Sequence, residues 1–205
     1  MRKLFGCLLA FLLAGLSLAQ AQIPPPPAGV KFTDPDPTAR VFFPRIASEL
    51  GRSRLDRHIE RHPQDPRGWS GRAFAASLQG KRESATADLA RAHALIGGDP
   101  IRQREVLWST GWIQLTLGRF DRAAEAWVQS VKLHGGRPYW VPYSFSVLAE
   151  LAGQRDIALA WYSVAVDDAP RTWGRRRAMV DKTSHWQVRE RDAIRRVYEA
   201  WSDSA

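Results

Sequence analysis

Residues 118–130 read GRFDRAAEAWVQS, and the same spacing of residue types recurs at 80–92 (GKRESATADLARA) and at 153–165 (GQRDIALAWYSVA). Each stretch opens on a glycine. A small residue follows five positions later (Ala85, Ala123, Ala158), a large one nine positions later (Leu89, Trp127, Tyr162), and a second small one twelve positions later (Ala92, Ser130, Ala165). The three glycines stand 38 and 35 residues apart, a period that marks an array of repeated supersecondary units.

The spacing has a physical meaning. Glycine permits the tight turn that joins two antiparallel helices. Small residues at the fifth and twelfth positions share one helical face and let a partner helix approach, and the large residue between them fills the groove. A stretch of helical period precedes each glycine, at Trp69–Leu78, Val106–Leu117 and Tyr143–Leu151. Each unit is therefore predicted to be a helix–turn–helix hairpin that buries its apolar stripe only by stacking on its neighbours.

On these residues the chain resembles the tetratricopeptide repeat family over roughly 64–170. Trp69, Ala85, Leu89 and Ala92 match the family pattern in the first unit. Gly111, Gly118, Ala123 and Trp127 match in the second, and Gly153, Ala158, Tyr162, Ala165 and the closing Pro170 in the third. Two departures stand out: Pro142 occupies the tryptophan position of the third unit, and about four extra residues surround the stretch from His134 to Pro138. The resemblance implies an all-α protein, a short right-handed solenoid of stacked hairpins, with units at 64–98, 100–136 and 137–171. A degenerate half-repeat helix is expected at 44–63, where Gly51, Leu55 and His58 precede Pro63, and a basic capping segment at 172–205. In the latter, Ile194, Val197, Tyr198 and Trp201 recur at the spacing of an amphipathic helix.

The beginning of the chain reads as an address. Arg2 and Lys3 precede an apolar run from Leu4 to Leu18, and Ala19-Gln20-Ala21 supplies small residues for cleavage, the three-part pattern of a secretory signal peptide over 1–21. The run is shorter than the roughly 20 residues that span a bilayer, so an anchor is the weaker reading. The only cysteine, Cys7, leaves with the leader, which suits an oxidising periplasm and removes disulfide frameworks and cysteine-based zinc sites. Residues 22–43 carry Pro24 to Pro27 and an Asp-Pro-Asp-Pro stretch at 34–37, and are expected to form a semi-rigid proline-rich linker.

Motifs for chemistry are sparse. His58 and His62 fall on one helical face, yet the sequence is not HExxH, and His58 sits on a repeat-packing position, so no metal or cofactor is expected. Asp167 and Asp168 point apart on a helix and read as a solvated helix end. There is no GxSxG, P-loop or dinucleotide fingerprint. The expectation is a non-enzyme.

Two features suggest partners. Nine tryptophans lie beyond the leader. The resemblance implies that the first helix of each unit lines a concave groove, which would set Phe74, Trp108, Trp112, Trp140 and Tyr143 along one binding surface, with Arg67 and Glu105 at its rim. Such rings are efficient binding anchors, and the groove would take a segment of another envelope protein. Burial of the same rings as plain core is the competing reading. The second feature is basic: from Arg171 to Arg196 there are nine Lys and Arg against three acids, among them Arg171, Arg175, Arg176, Arg177 and Lys182. This patch is the alternative surface, for a polyanion such as a lipid headgroup, lipopolysaccharide or an acidic protein, with a solvated cap as its bland counterpart. Nucleic acid is disfavoured by the export signal.

Overall fold

The structure, a computed structural model, describes residues 23–39 and 49–204. The leader and the stretch 40–48, which includes the end of the expected linker and the start of the expected half-repeat helix, lie outside the described residues. The described chain is all-α: α1 (Glu49–Arg61), α2 (Pro66–Leu78), α3 (Arg82–Ala94), α4 (Pro100–Thr116), α5 (Phe120–His134), α6 (Val141–Leu151), α7 (Arg155–Asp168), α8 (Pro170–Trp173), α9 (Arg176–Thr183) and α10 (Val188–Ser204). Helices α2/α3, α4/α5 and α6/α7 form three successive hairpins.

One device closes all three. Gly80, Gly118 and Gly153 adopt φ of 70°, 74° and 76°, which places them in the left-handed region. In each case the glycine N–H donates three residues back, to Ser77, Leu115 or Glu150. The following N–H donates five back, from Lys81 to Ala76, Arg119 to Gln114 and Gln154 to Ala149. These bonds satisfy the last carbonyls of the first helix and reverse the chain. Helices α2 and α4 start on Asp65-Pro66 and Asp99-Pro100, where the aspartate accepts the first free N–H groups and proline tolerates having none.

Within a hairpin, size complementarity sets the approach. A Cβ on Gly111 of α4 would lie 2.0 Å from Nε1 of Trp127 on α5, so the indole rests directly on the α4 backbone. Its N–H donates to the Trp108 carbonyl at 3.2 Å. The corresponding residues of the other units, Ala73 and Ser146, are also small and fully buried.

The seams between hairpins differ. Helix α4 packs closely on α2, but α4 and α6 stand apart, and α10 lies against α6 and α7 instead. Rings fill the space: Trp127 meets Trp112 at 5.2 Å, Phe145 at 5.9 Å and Trp140 at 6.3 Å. Glu150 of α6, whose side chain is 7% exposed, accepts from Arg155 of α7 and Arg196 of α10, each at 2.8 Å, and so ties three helices together.

Residues 23–39 depart from the expected spacer. They form a strap docked on the last two hairpins, with Ile23 and Phe32 in the main core. Trp161 of α7 donates to the Pro24 carbonyl at 2.7 Å, and the Phe32 N–H donates to Asp168 at 2.8 Å, giving a partner to a carboxylate expected only in solvent. Asp34 pairs with the α5–α6 loop, its N–H donating to Arg137 and its carbonyl accepting from Tyr139, which forms a single parallel bridge. The side chain of Asp36 is fully buried, and accepts from Trp140 Nε1 at 2.9 Å, Arg104 at 3.0 Å and the Thr38 hydroxyl at 2.6 Å. Proline accounts for the extended shape, as expected; apolar residues and aspartates interleaved among the prolines account for the docking.

Gly111→Ala is expected to lower stability by about 1–3 kcal/mol through overpacking, read as a fall in thermal midpoint. Burial raises the Asp36 pKa, but hydrogen bonds from Thr38 and Trp140 and the Arg104 charge more than offset this, leaving it below its ordinary 3.8. A depressed carboxylate contributes its stability above the unfolded value and loses it as pH falls through the folded one. Protease resistance of the strap should therefore hold at neutral pH and fail on acidification below 3.8. Asp36→Asn should loosen the strap at neutral pH, by about 3–5 kcal/mol if Arg104 is left unpaired.

Candidate functional site

The structure does not arrange the five aromatic groove residues as one open surface. Phe74 packs on two small clusters built from α1, α2, α3 and the end of α4, apart from the main core cluster that holds the other four. Trp140 is 0% exposed and directed at the strap through Asp36, not at a groove rim. Trp108 and Tyr143 are each 8% exposed. Trp112 is partly buried, with Trp108 at 6.3 Å on one side and Trp186 at 5.2 Å on the other. In this conformation Trp108, Trp140 and Tyr143 are buried, and Phe74 and Trp112 are partly buried.

The physical reason is the return of the chain after α7. Trp173 of α8 packs on Tyr143 at 4.9 Å, and Trp186, between α9 and α10, packs on it at 5.8 Å. Tyr162 donates to the Trp173 carbonyl at 2.7 Å, and Arg189, in the first turn of α10, donates to the Leu115 carbonyl of α4. The C-terminal segment therefore covers the face that the resemblance leaves for a partner. Burial pushes the Tyr143 hydroxyl far above its ordinary pKa, so it stays neutral and is unsuited to proton transfer. The cover is incomplete in its polar accounting. Nε1 of Trp108 and Trp112, Oε1 of Gln114 and Oε2 of Glu190 are buried without a hydrogen-bond partner among the described residues.

Of the two expected rim residues, Arg67 is engaged at the start of α2. Arg67 grips Asp65 through Nε and Nη2 at 2.9–3.1 Å, which raises its pKa, and the charge of Glu105 acts on it as well. Asp65 is held below its ordinary range: burial opposes this, but the bonds from Arg67 and from His58 at 2.9 Å outweigh it.

The basic patch, by contrast, is open. Arg171, Arg175, Arg176, Arg177 and Lys182 are all exposed on α8, the bend after it and α9. Among the described residues only Arg176 of this group forms an ion pair, with Glu199 at a loose 3.9 Å. Val180, 48% exposed, shares α9 with these charges. The His58 and His62 rings lie 4.9 Å apart, tilted by 46°, and among the described residues no three metal-ligating side chains converge. No helix among the described residues is long and apolar enough to cross a membrane.

No protein-family model, curated protein or solved structure matches the chain.

Sequence reasoning missed Asp36, Arg104 and Trp186. The first two carried only a weak signal, an aspartate flanked by prolines and an arginine at a helix start. Trp186 was visible as an aromatic interleaved in a basic stretch. Trp186→Ala is expected to uncover Trp112 and Tyr143, raise binding of an apolar dye and cost about 2 kcal/mol, below the 3–5 of a fully buried tryptophan. Unchanged dye binding would show that Trp186 is not a cover.

Proposed function

We propose that the protein is a non-catalytic interaction module of the tetratricopeptide type, exported to the periplasm, that holds an acidic segment of an envelope partner on its basic C-terminal face. Support for the repeat type comes from the three identical glycine turns and the close seat of Trp127 on Gly111. The observation that carries the choice of surface is the contrast in access. Arg171, Arg175, Arg176, Arg177 and Lys182 face solvent, whereas Trp108, Trp140 and Tyr143 are covered. Guanidinium groups clustered with only one loose carboxylate contact among the described residues, Arg176 to Glu199, raise a local positive potential and bond carboxylates bidentately.

A second reading retains the aromatic surface. The unpaired polar atoms of Trp108, Trp112, Gln114 and Glu190 are groups that a partner segment displacing Trp186 would satisfy. In that case the C-terminal segment acts as a resident occupant of the groove.

Capture from envelope extract separates the two. Wild-type protein at low salt should retain an acidic protein that is lost at high salt and lost by Arg175→Gln/Arg176→Gln/Arg177→Gln. Capture that survives high salt, ignores the arginine variant and increases with Trp186→Ala would move the function to the aromatic surface. Binding to anionic vesicles with no protein captured would make the partner a membrane surface.

A further inference from the structure

A second concentration of positive charge lies at the other end of the array, where α1 ends and α2 and α4 begin. There a cleft of about 520 Å³ is lined by His58, Arg61 and His62 of α1 and its end, by Arg67 at the start of α2, and by Arg102 at the start of α4. It continues into an adjoining hollow of about 290 Å³ that adds Arg54 and Arg57. The geometry points to a binding site for a phosphate-bearing anion with more than one phosphoryl charge, such as a diphosphate or a phosphorylated headgroup.

The charge balance around the cleft is lopsided. Among the described residues Asp65 is the one carboxylate in its lining, and it is already occupied by Arg67 and His58; Glu105 acts on Arg67 from outside the lining. Asp56 acts on Arg72, on the α2 side, and among the described residues neither it nor Glu60 forms an ion pair with Arg54, Arg57 or Arg61. Among the described residues the ion pair of Arg102 is a long one to Asp99, 3.4 Å, with both side chains about half exposed. Arg54, Arg57 and Arg61 recur at i, i+3 and i+7, so their like charges lie along one face of a 13-residue helix. Such neighbours repel by a few tenths of a kcal/mol each unless an anion lies between them. The position of Arg61 in the last turn complements the helix dipole, but Arg54 and Arg57 are too far from the end for that account.

The chemistry of the lining selects the ligand class. Guanidinium groups line the cleft from three helices, with that of Arg67 engaged by Asp65 and those of Arg61 and Arg102 exposed; a planar fork of N–H donors matches phosphoryl oxygens, whereas a simple carboxylate would engage one or two of them. The cleft is as large as sites that take small organic ligands and larger than one inorganic phosphate requires. This site is separate in sequence and in the fold from the basic C-terminal face, so each is testable while the other is intact.

Titration calorimetry of the purified protein with inorganic pyrophosphate tests the site, with chloride at matched ionic strength as the control. Wild type should bind, and Arg61→Gln/Arg102→Gln should weaken binding at least about tenfold, the loss of one charge-assisted hydrogen bond or more. Arg175→Gln/Arg176→Gln/Arg177→Gln should leave it unchanged. Both arginines of the first variant are exposed, so its helical circular dichroism should match wild type; Arg54→Gln/Arg57→Gln provides an independent second variant. No pyrophosphate binding, or binding indifferent to both cleft variants, overturns the inference. A parallel flotation assay with phosphatidylcholine vesicles containing phosphatidic acid identifies the source. Cleft-dependent flotation assigns a lipid headgroup, and cleft-dependent pyrophosphate binding without flotation assigns a soluble phosphorylated ligand.

Discussion

The Trp127 indole seated on the bare backbone of Gly111 is the contact on which the middle of the molecule depends. It brings α5 against α4 closely enough for the indole N–H to reach the Trp108 carbonyl. It also presents ring faces and edges to Trp112, Trp140 and Phe145. Any side chain at 111 would push the indole outward and disturb every ring that leans on it. Because interiors are packed as tightly as organic crystals, such a displacement propagates and is not absorbed locally.

The same contact explains why so much tryptophan is present. Helices α4 and α6 do not pack closely along their backbones, and the second and third hairpins are joined mainly through side chains of one shared core. Indoles from both hairpins fill it, and the contacts continue through Phe145 to Trp161 and Phe32 of the strap on one side. On the other side they run through Trp112 to Trp186, Tyr143 and Trp173 of the C-terminal segment. Eight of the nine tryptophans join this network. Trp69 stands apart, between Arg72 and Arg91. In this conformation the rings that read as a binding strip in the sequence are largely packed between the last two hairpins and the C-terminal segment.

The hairpins were legible because their determinants are local: a glycine, a small face and a large residue at fixed offsets, with Asp-Pro at two helix starts. Residues such as Gly80 or Ala123 act on neighbours a few positions away, and periodicity reveals them. The strap was not legible, because beyond its local bonds to Thr38 the burial of Asp36 is explained by Arg104 and Trp140, which lie 68 and 104 residues further on. Proline content revealed the extended backbone of 23–39 but not the surface against which it lies. The aromatic residues fell between these cases. Their residue types and helices could be read, but their exposure depended on Trp173 and Trp186, whose return over Tyr143 no short-range pattern encodes. The basic residues at 171–182 were easiest to place, since an exposed charge needs no partner to explain it.

The strap has a consequence for the order in which the molecule assembles. Its ties to Asp168 and Trp161 join residues 136 and 137 positions apart, whereas each hairpin closes over a few tens of residues. Local closures form early and distant ones late, because the entropy lost in bringing remote segments together is recovered only once both are in place. During synthesis the strap precedes its docking surface by nearly the whole array, leaving Ile23 and Phe32 uncovered until α7 exists. Transient apolar exposure of that kind is what holdase chaperones recognise, so the earliest described part of the chain is the part whose burial is completed last.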